Sequence, residues 1–333
     1  MTQDSMKERP LVTFALFAYN QEKYIREAIE GAFAQTYEPL EIILSDDCSS
    51  DRTFEIMTEM ANNYHGPHKV VVNQNSENLN IGEHINVIGR KALGDLIVMA
   101  AGDDISDPSR AERLTLAWLS SGGSTAVLFS DFLPVDRESR VVPDFSEQVF
   151  RGELTISGGL QGDIPVLGAT TAYTRDAFDT FPPIGKSVVH EDRVLPFRVM
   201  LLGGSGILVD EKLIKYRVDG GVSRDKPKDG FDYVFRYMED RLSRSIPDSL
   251  QRLNDVIFVF PNNKDIIGRA KRHVYSKMLM LEISKNKGLR VETSLFKSLR
   301  AGKAFFSVLF FYLKRRFVYL FEIYYFLRFG GAR

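Results

Sequence analysis

The amino-acid sequence predicts an α/β fold, with a mostly parallel central sheet flanked by helices and a helical C-terminal extension. First, short apolar runs alternate with amphipathic helical segments over the first hundred residues, which is typical of βαβ units with right-handed crossovers. Second, several runs end in acidic residues, and open α/β sheets bind ligands at the carboxyl ends of their strands. Third, 333 residues of which 44% are hydrophobic suffice for a large core.

The elements follow in chain order. Apolar runs predict strands, and apolar residues at helical spacing predict helices. The predicted strands cover residues 11–17, 40–44, 69–73, 96–101, 126–131 and 207–209. The predicted helices cover residues 21–35, 53–63, 83–93 and 194–202, with further helices from residue 225 onward. Gly94 is expected to end the third helix.

Two adjacent carboxylates, Asp103 and Asp104, follow the most apolar strand. Two such groups repel each other and lose solvation, so they require a cation or hydroxyl partners. A divalent metal that carries nucleotide phosphates would meet that requirement. The alternative is a helix N-cap, in which Asp104 or Asp107 caps a helix that opens at Pro108.

Other polar clusters also follow strands, namely Tyr19-Asn20 and Asp46-Asp47. Because parallel strands carry their carboxyl ends to one edge, these clusters are expected to gather near Asp103 and Asp104. The glycine-rich patterns of ordinary dinucleotide-binding and P-loop proteins are missing, which disfavours both classes.

Four sequence blocks occur in a characteristic order. They are AYNQEKYI at 18–25, QTY at 35–37, EIILSDDCSSD at 41–51 and AGDD at 101–104. In these blocks the sequence resembles glycosyltransferase family 2, over roughly residues 10–220. The resemblance implies the GT-A fold, a nucleotide-sugar donor and inversion at the anomeric carbon.

The resemblance also implies residue roles. Asp104 matches the metal-binding acid, for Mn²⁺ or Mg²⁺, whereas Ala101 stands where the family's Asp-x-Asp signature begins and Ile85 where an arginine is often found. A UDP-sugar is the first expectation for the donor. The expected donor nucleotide-binding residues are Ala18, Tyr19, Asn20, Glu22, Asp47 and Asp103.

An inverting transfer needs a carboxylate that takes the proton of the acceptor hydroxyl. The resemblance implies Asp192 as this base, although an acid in the first turn of a helix also suits the helix dipole. Arg217 is expected to neutralise leaving-group charge, or else to be a surface arginine in a glycine turn. The expected acceptor or supporting residues are Thr170, Thr171, Glu191 and Arg217.

Charge is unevenly distributed. Residues 264–333 hold 16 Lys and Arg against 4 Asp and Glu, although the whole chain has a net charge of −1. The aromatic, basic segment at about 300–330 predicts a monotopic anchor on an anionic membrane surface, because each apolar piece is too short to span. The alternative is a helix pair that packs on the catalytic domain or on a second subunit, so an oligomer is possible. Nucleic acid is not an expected partner.

The expected organisation is a catalytic domain at 1–224 (donor half about 10–105, acceptor half about 106–224) and a helical region at 225–333. The single cysteine and the polar N-terminus, without an apolar signal segment, predict a cytoplasmic protein, peripheral on the inner membrane face. The expected function is transfer of a sugar from a nucleotide-diphosphate donor to a glycan or lipid-linked acceptor, in bacterial cell-surface polysaccharide synthesis. The alternatives are a non-catalytic membrane-associated scaffold and a nucleotidyltransferase.

Overall fold

The computed structural model describes residues 9–143, 145, 149–162, 164, 166–218, 236–285, 309, 312 and 313. The chain divides into two compact units. The first consists of Met1–Gly159, Asp163–Lys186 and Glu191–Ser223, and the second of Leu160–Gly162, Ser187–His190 and Arg224–Arg333. The expected boundary between residues 224 and 225 stays a prediction about domains.

The first half of the first unit alternates strands and helices, which confirms the α/β class. The elements are β1 (Val12–Ala18), α1 (Ile25–Phe33), β2 (Leu40–Asp46), α2 (Thr53–Asn62), β3 (Lys69–Gln74), α3 (Asn80–Lys91) and β4 (Leu96–Ala101). Every residue of β1 and β2 is buried, as expected for parallel strands covered on both faces.

The second half of this unit is less regular. The elements between residues 105 and 217 are β5 (Ile105–Ser106), α4 (Arg110–Ser120), β6 (Ala126–Val135), α5 (Ile156–Gln161), a 3₁₀ turn (Gly168–Thr170), β7 (Thr171–Thr174), α6 (Asp176–Asp179), α7 (Glu191–Leu201) and β8 (Ser205–Arg217). The last two residues of α5 are assigned to the second unit. The expected strand at 207–209 is too short. β8 continues through Asp210 and Glu211, whose exposed carboxylates form ion pairs with Arg151 and Arg113.

In the described part of the chain, a mixed sheet of eight strands has the order β3-β2-β1-β4-β7-β6-β8-β5. β3, β2, β1 and β4 are parallel neighbours, and β7 pairs antiparallel with β4 and β6. In this register Ala18 lies opposite Asp46, and Phe17 lies opposite Ala101. The carboxyl ends of β1, β2 and β4 therefore coincide.

The main core lies between these central strands and helices α1, α2 and α4. Fully buried side chains from the strands, such as Leu16, Ile42 and Val98, pack with Ile29 and Leu114 from the helices. Each such side chain contributes about 1.5–3 kcal/mol when removed from water. The core therefore holds the strand ends in fixed positions relative to one another.

The role expected for Gly94 was wrong. Helix α3 ends at Lys91, and Ala92 is already extended. Gly94 instead packs against β1, where an added Cβ would lie 2.7 Å from the carbonyl carbon of Val12. The Gly94 N–H donates to Thr13 Oγ1 at 2.9 Å, so a close approach of two backbones explains this glycine.

The second unit contains α8 (Met238–Val259) and α9 (Lys264–Lys285). Its apolar cluster includes Leu242, Leu279 and Ile283. Asp248, fully buried in α8, accepts a hydrogen bond of 2.6 Å from His190 Nδ1. Within the described part of the chain, no helix has the length and hydropathy needed to cross a bilayer. The expected membrane-associating segment lies outside the described residues, except for 309, 312 and 313.

Candidate active site

Backbone hydrogen bonds join the segments that follow β2 and β4 to the end of β1. The Asp47 N–H donates to the Ala18 carbonyl at 2.9 Å, and the Gly102 N–H donates to the Phe17 carbonyl at 2.8 Å. An added Cβ on Gly102 would lie 2.8 Å from Ala18 Cβ, so only glycine permits this contact. The predicted convergence of the acidic strand ends is confirmed.

The loops after β1 and β2 interlock. Asn20 Oδ1 accepts from the Ser50 N–H at 2.8 Å, and Glu22 Oε2 accepts from the Arg52 N–H at 3.1 Å. Asn20 has a φ of 53°, in the left-handed region that asparagine tolerates. The Tyr19 side chain is left 46% exposed beside this edge. Its ring is therefore accessible for stacking.

Asp47 is buried and held from one side. Its Oδ1 accepts from Asn75 Nδ2 at 2.8 Å and from the Leu79 N–H at 2.9 Å. Both bonds end on the same carboxylate oxygen. The rotation of the Asp47 side chain is consequently fixed before any ligand arrives.

Asp103 and Asp104 form a buried acidic pair, with exposures of 9% and 6%. Burial raises the pKa of Asp104 to about 8, and the neighbouring charge of Asp103 adds to this shift. Burial also raises the pKa of Asp103. Asp104 Oδ1 accepts from the Arg217 N–H, whereas the buried Oδ2 has no hydrogen-bond partner among the described residues.

The Asp104 bond to Arg217 rules out the alternative in which Asp104 caps α4. Helix α4 begins at Arg110, and it is Asp107 Oδ1 that accepts from the Ser109 N–H, at 2.9 Å. The N-cap residue is Ser109, and the Asp107 side chain closes a turn just before it rather than capping the helix. Neither aspartate is a helix cap, so the Asp103–Asp104 pair needs another explanation.

Arg217 lies at the end of β8 and is 1% exposed, so it is not a surface arginine. Its Nε donates to the Asp103 carbonyl at 2.8 Å, and its terminal nitrogens donate to the Arg137 carbonyl and to Glu27 Oε2. The guanidinium also lies 4.4 Å from the centre of the Tyr24 ring. All three nitrogens are thus engaged within the protein, and the expected contact with a leaving group stays a prediction.

The sequence interpretation missed Arg110, which is completely buried in α4. Its guanidinium donates to the carbonyls of Met99 in β4 and Ala169 in the 3₁₀ turn, at 2.6 and 2.7 Å. Burial lowers the pKa of Arg110 to about 9, and the charge of Asp104 opposes that shift. Helical spacing could have revealed it, because Arg110 shares the buried face of α4 with Leu114 and Trp118.

The 3₁₀ turn that Arg110 joins to β4 contacts the predicted base region. A Cβ on Gly168 would collide with Glu191 Oε1 and would lie 3.4 Å from Asp192 Cβ. Helix α7 begins at Glu191, so Asp192 lies in its first turn. The hydroxyls of Thr170 and Thr171 donate to the Leu167 and Gly168 carbonyls at 2.8 and 2.6 Å and stabilise this turn.

Asp192 also lines a cavity of about 300 Å³. Thr170 and Arg193 supply the other polar side chains of its wall. The apolar lining residues are Phe129, Phe132, Val149, Phe150, Ile164, Val166 and Leu167. An acid in the wall of a pocket with both apolar and polar lining has the surroundings expected of a group that receives a proton from a bound substrate.

The sheet, its flanking helices and the acidic edge have the arrangement of the GT-A fold class. The fold is similar to that of the S. aureus TarS fragment 1–349 solved with UDP, with a TM-score of 0.54 and 17% identity over 92% of this chain and 91% of that one. It is also similar to the mannosyltransferase PcManGT of Pyrobaculum calidifontis solved with GDP-Man and Mn²⁺, with a TM-score of 0.52 and 16% identity over 93% and 88%.

The chain belongs to glycosyltransferase family 2, whose model matches residues 13–178. EpsE of Bacillus subtilis, named as a glycosyltransferase, is 28% identical over 221 residues, covering 64% of this chain and 75% of EpsE. Chondroitin synthase of Escherichia coli is 31% identical over 138 residues, which is 41% of this chain and 19% of that protein. The expected family, fold class and enzyme class are confirmed.

Proposed function

We propose that this enzyme transfers a sugar, with inversion, from a UDP-sugar to a glycan or lipid-linked acceptor in bacterial cell-surface polysaccharide synthesis. One observation carries the proposal. The carboxyl ends of β1, β2 and β4 meet at Asp47 and the Asp103–Asp104 pair, and Arg110 ties this edge to the turn that contacts Asp192. The names of EpsE and chondroitin synthase support the proposed sugar transfer.

The donor nucleotide binds at the ends of β1, β2 and β4. The exposed ring of Tyr19 stacks on the base, and the fixed carboxylate of Asp47 accepts a hydrogen bond from it. Asp103 binds the ribose. Ala18, Asn20 and Glu22 shape the loop that carries Tyr19. TarS structures with UDP and with UDP-GlcNAc support a uridine donor by fold likeness.

Asp104 fits a divalent cation, Mn²⁺ or Mg²⁺. Its buried Oδ2 has no protein partner within the described residues, and burial opposes its charge. Those residues contain no cluster of three ligating side chains, which suits a cation held by one or two carboxylates together with substrate phosphates. When bound there, the cation supplies Lewis acidity to the departing diphosphate. The Mn²⁺ in the PcManGT structure supports this assignment.

Asp192 acts as the base. Its carboxylate takes the proton of the acceptor hydroxyl while that oxygen bonds to the anomeric carbon, and the bond from this carbon to the diphosphate breaks with its electron pair. The pocket beside Asp192, which is lined largely by apolar side chains, offers a surface on which the acceptor can bind. Glu191, Thr170 and Thr171 hold the acceptor side of the site, with Arg217 behind the donor acids.

The catalytic domain occupies residues 1–224, and the 225–333 region carries the proposed membrane contact. The chain holds 38 aromatic residues, and the run from Phe305 to Phe329 is dense in them and interrupted by Lys314, Arg315 and Arg316. Aromatic rings and basic side chains both favour the membrane interface. We therefore place the enzyme at the cytoplasmic face of the cell membrane.

A panel of nucleotide sugars tests the proposal, with nucleotide diphosphate release as the readout in Mn²⁺ or Mg²⁺. We expect turnover with a UDP-sugar and acceptor, and a loss of about 10²–10⁴-fold in Asp192→Asn with unchanged donor binding. Asp179→Asn, at an exposed carboxylate, is the matched control. Transfer by Asp192→Asn at the control rate would remove Asp192 from this role.

A further inference from the structure

A chain of polar side chains, buried except for the half-buried Asn73, runs behind Asp47 and is not used by the proposed chemistry. Asn75 Nδ2 donates to Asp47 Oδ1 at 2.8 Å, and Asn73 Nδ2 lies 3.1 Å from Asn75 Oδ1. Asn73 Nδ2 also lies 2.9 Å from Ser45 Oγ, which is 2.6 Å from His84 Nε2. These residues come from β2, β3, α3 and the loop after β3.

The carboxylate fixes the direction of every bond in this chain. A charged Asp47 only accepts, so Asn75 must turn its amide nitrogen toward Asp47 and its oxygen toward Asn73. Asn73 then uses both amide hydrogens, on Asn75 and on Ser45. The Ser45 hydroxyl is left to donate to His84, whose pKa is lowered by burial, so a neutral imidazole accepts.

The consequence for Asp47 is an asymmetric carboxylate. Oδ1 accepts from Asn75 and from the Leu79 N–H, which uses both of its lone pairs. Oδ2 is the one oxygen that the described residues leave for a ligand. Asp47 therefore meets a base with a single acceptor atom.

We propose that Asn75 is a positioning residue that makes the nucleotide site selective for a base with one imide N–H, as in uracil or thymine, over guanine. The imide presents one N–H between two carbonyls and fits a single acceptor. Guanine presents two neighbouring donors that pair best with two oxygens of one carboxylate, so one of its donors would be left unpaired. This inference rests on the proposed donor site at Asp47.

Titration calorimetry with UDP, dTDP and GDP, in Mn²⁺, tests it on the full chain. The wild-type protein should bind UDP or dTDP at least about tenfold more tightly than GDP. In Asn75→Ala, the affinity for that imide nucleotide should fall about tenfold while GDP changes by less than about twofold, because Oδ1 becomes available to the second guanine donor.

Asn78→Ala is the matched control, since Asn78 lies in the same loop and accepts from the Asn80 N–H rather than contacting Asp47. Asn73 lies one hydrogen bond further from the carboxylate, so Asn73→Ala should shift the selectivity in the same direction by a smaller factor. This variant replaces Asn75→Ala in the experiment if Asn75→Ala does not fold. An unchanged imide-to-guanine ratio in both variants, or tighter GDP binding by the wild type, would overturn the inference. Absence of any nucleotide binding by the wild type would instead refute the proposed donor site.

Discussion

The main-chain N–H of Arg217 donates to Asp104 Oδ1 at 2.8 Å, across 113 positions of sequence. The same arginine donates through Nε to the Asp103 carbonyl. The last residue of β8 thus fixes both members of the acidic pair that follows β4. This contact orients the proposed cation ligand without taking its second oxygen.

Replacing Arg217 by lysine should therefore destabilise the protein. An ammonium group keeps the charge but cannot reach the Asp103 carbonyl, the Arg137 carbonyl and Glu27 together. We expect a loss of about 1–3 kcal/mol in the free energy of unfolding by urea. Arg140→Lys is the control, because Arg140 is 73% exposed and its ion pairs contribute little. Equal stability of the two variants would contradict a stabilising role for the hydrogen bonds that Arg217 donates.

Asp104→Asn should separate stability from cation binding. Because burial raises the pKa of Asp104 to about 8, this carboxyl is largely uncharged at pH 7, and an amide of the same shape should leave the melting temperature of the free protein nearly unchanged. With UDP and Mn²⁺ at about 100 times their dissociation constants, the wild type should gain about 2.7 kcal/mol, and the variant should lose the Mn²⁺-dependent part. Thermal melting with and without Mn²⁺ measures this. The same Mn²⁺ effect in both proteins would exclude Asp104 as a ligand.

Arg110 and Arg113 lie one turn apart in α4 and offer a matched pair. Arg110→Met leaves the buried carbonyls of Met99 and Ala169 without their donor, so we expect a loss of about 1–3 kcal/mol for each unpaired acceptor. Arg113→Met removes only a half-exposed ion pair with Glu211, which should change stability by less than about 1 kcal/mol. Urea unfolding of both variants checks the difference, and similar losses would refute it.

The shifted pKa of His273 in α9 should make the free energy of unfolding depend on pH. Burial lowers its pKa to about 3, and the charges of Lys277 and Arg252 add to this shift. Because the unfolded chain binds this proton near pH 6.5, stability should fall as the pH drops from about 6.5 toward 3. His273→Gln should show a shallower decline between pH 7 and 5 in urea unfolding. A parallel decline in both proteins would remove His273 as the cause.

The alternation of strands and helices could be predicted because it depends on local patterns of apolar residues. The gathering of Asp47, Asp103 and Asp104 followed from parallel topology, since all three come directly after central strands. The length of β8 could not be predicted, because Asp210 and Glu211 interrupt the apolar pattern of this strand. Both acids form ion pairs with arginines that are distant in sequence.

The hydrogen-bond partners of the acidic residues could not be predicted from local sequence patterns either. Arg217 meets Asp104, and Arg110 meets the Ala169 carbonyl, through contacts between segments far apart in sequence. Asn75 touches Asp47 only because β3 pairs with β2 in one register. Such pairings leave no periodic signal, so the sequence identified the acids and the fold supplied what orients them.

The interlocked loops after β1 and β2 have a kinetic consequence. Asn20 and Glu22 fasten the Tyr19 loop to the segment that follows Asp47. A nucleotide that binds at the proposed donor site would therefore meet two loops that are already positioned relative to each other. Capture then requires no slow rearrangement of these loops, and the rate of encounter in solution should govern how fast the donor is taken up.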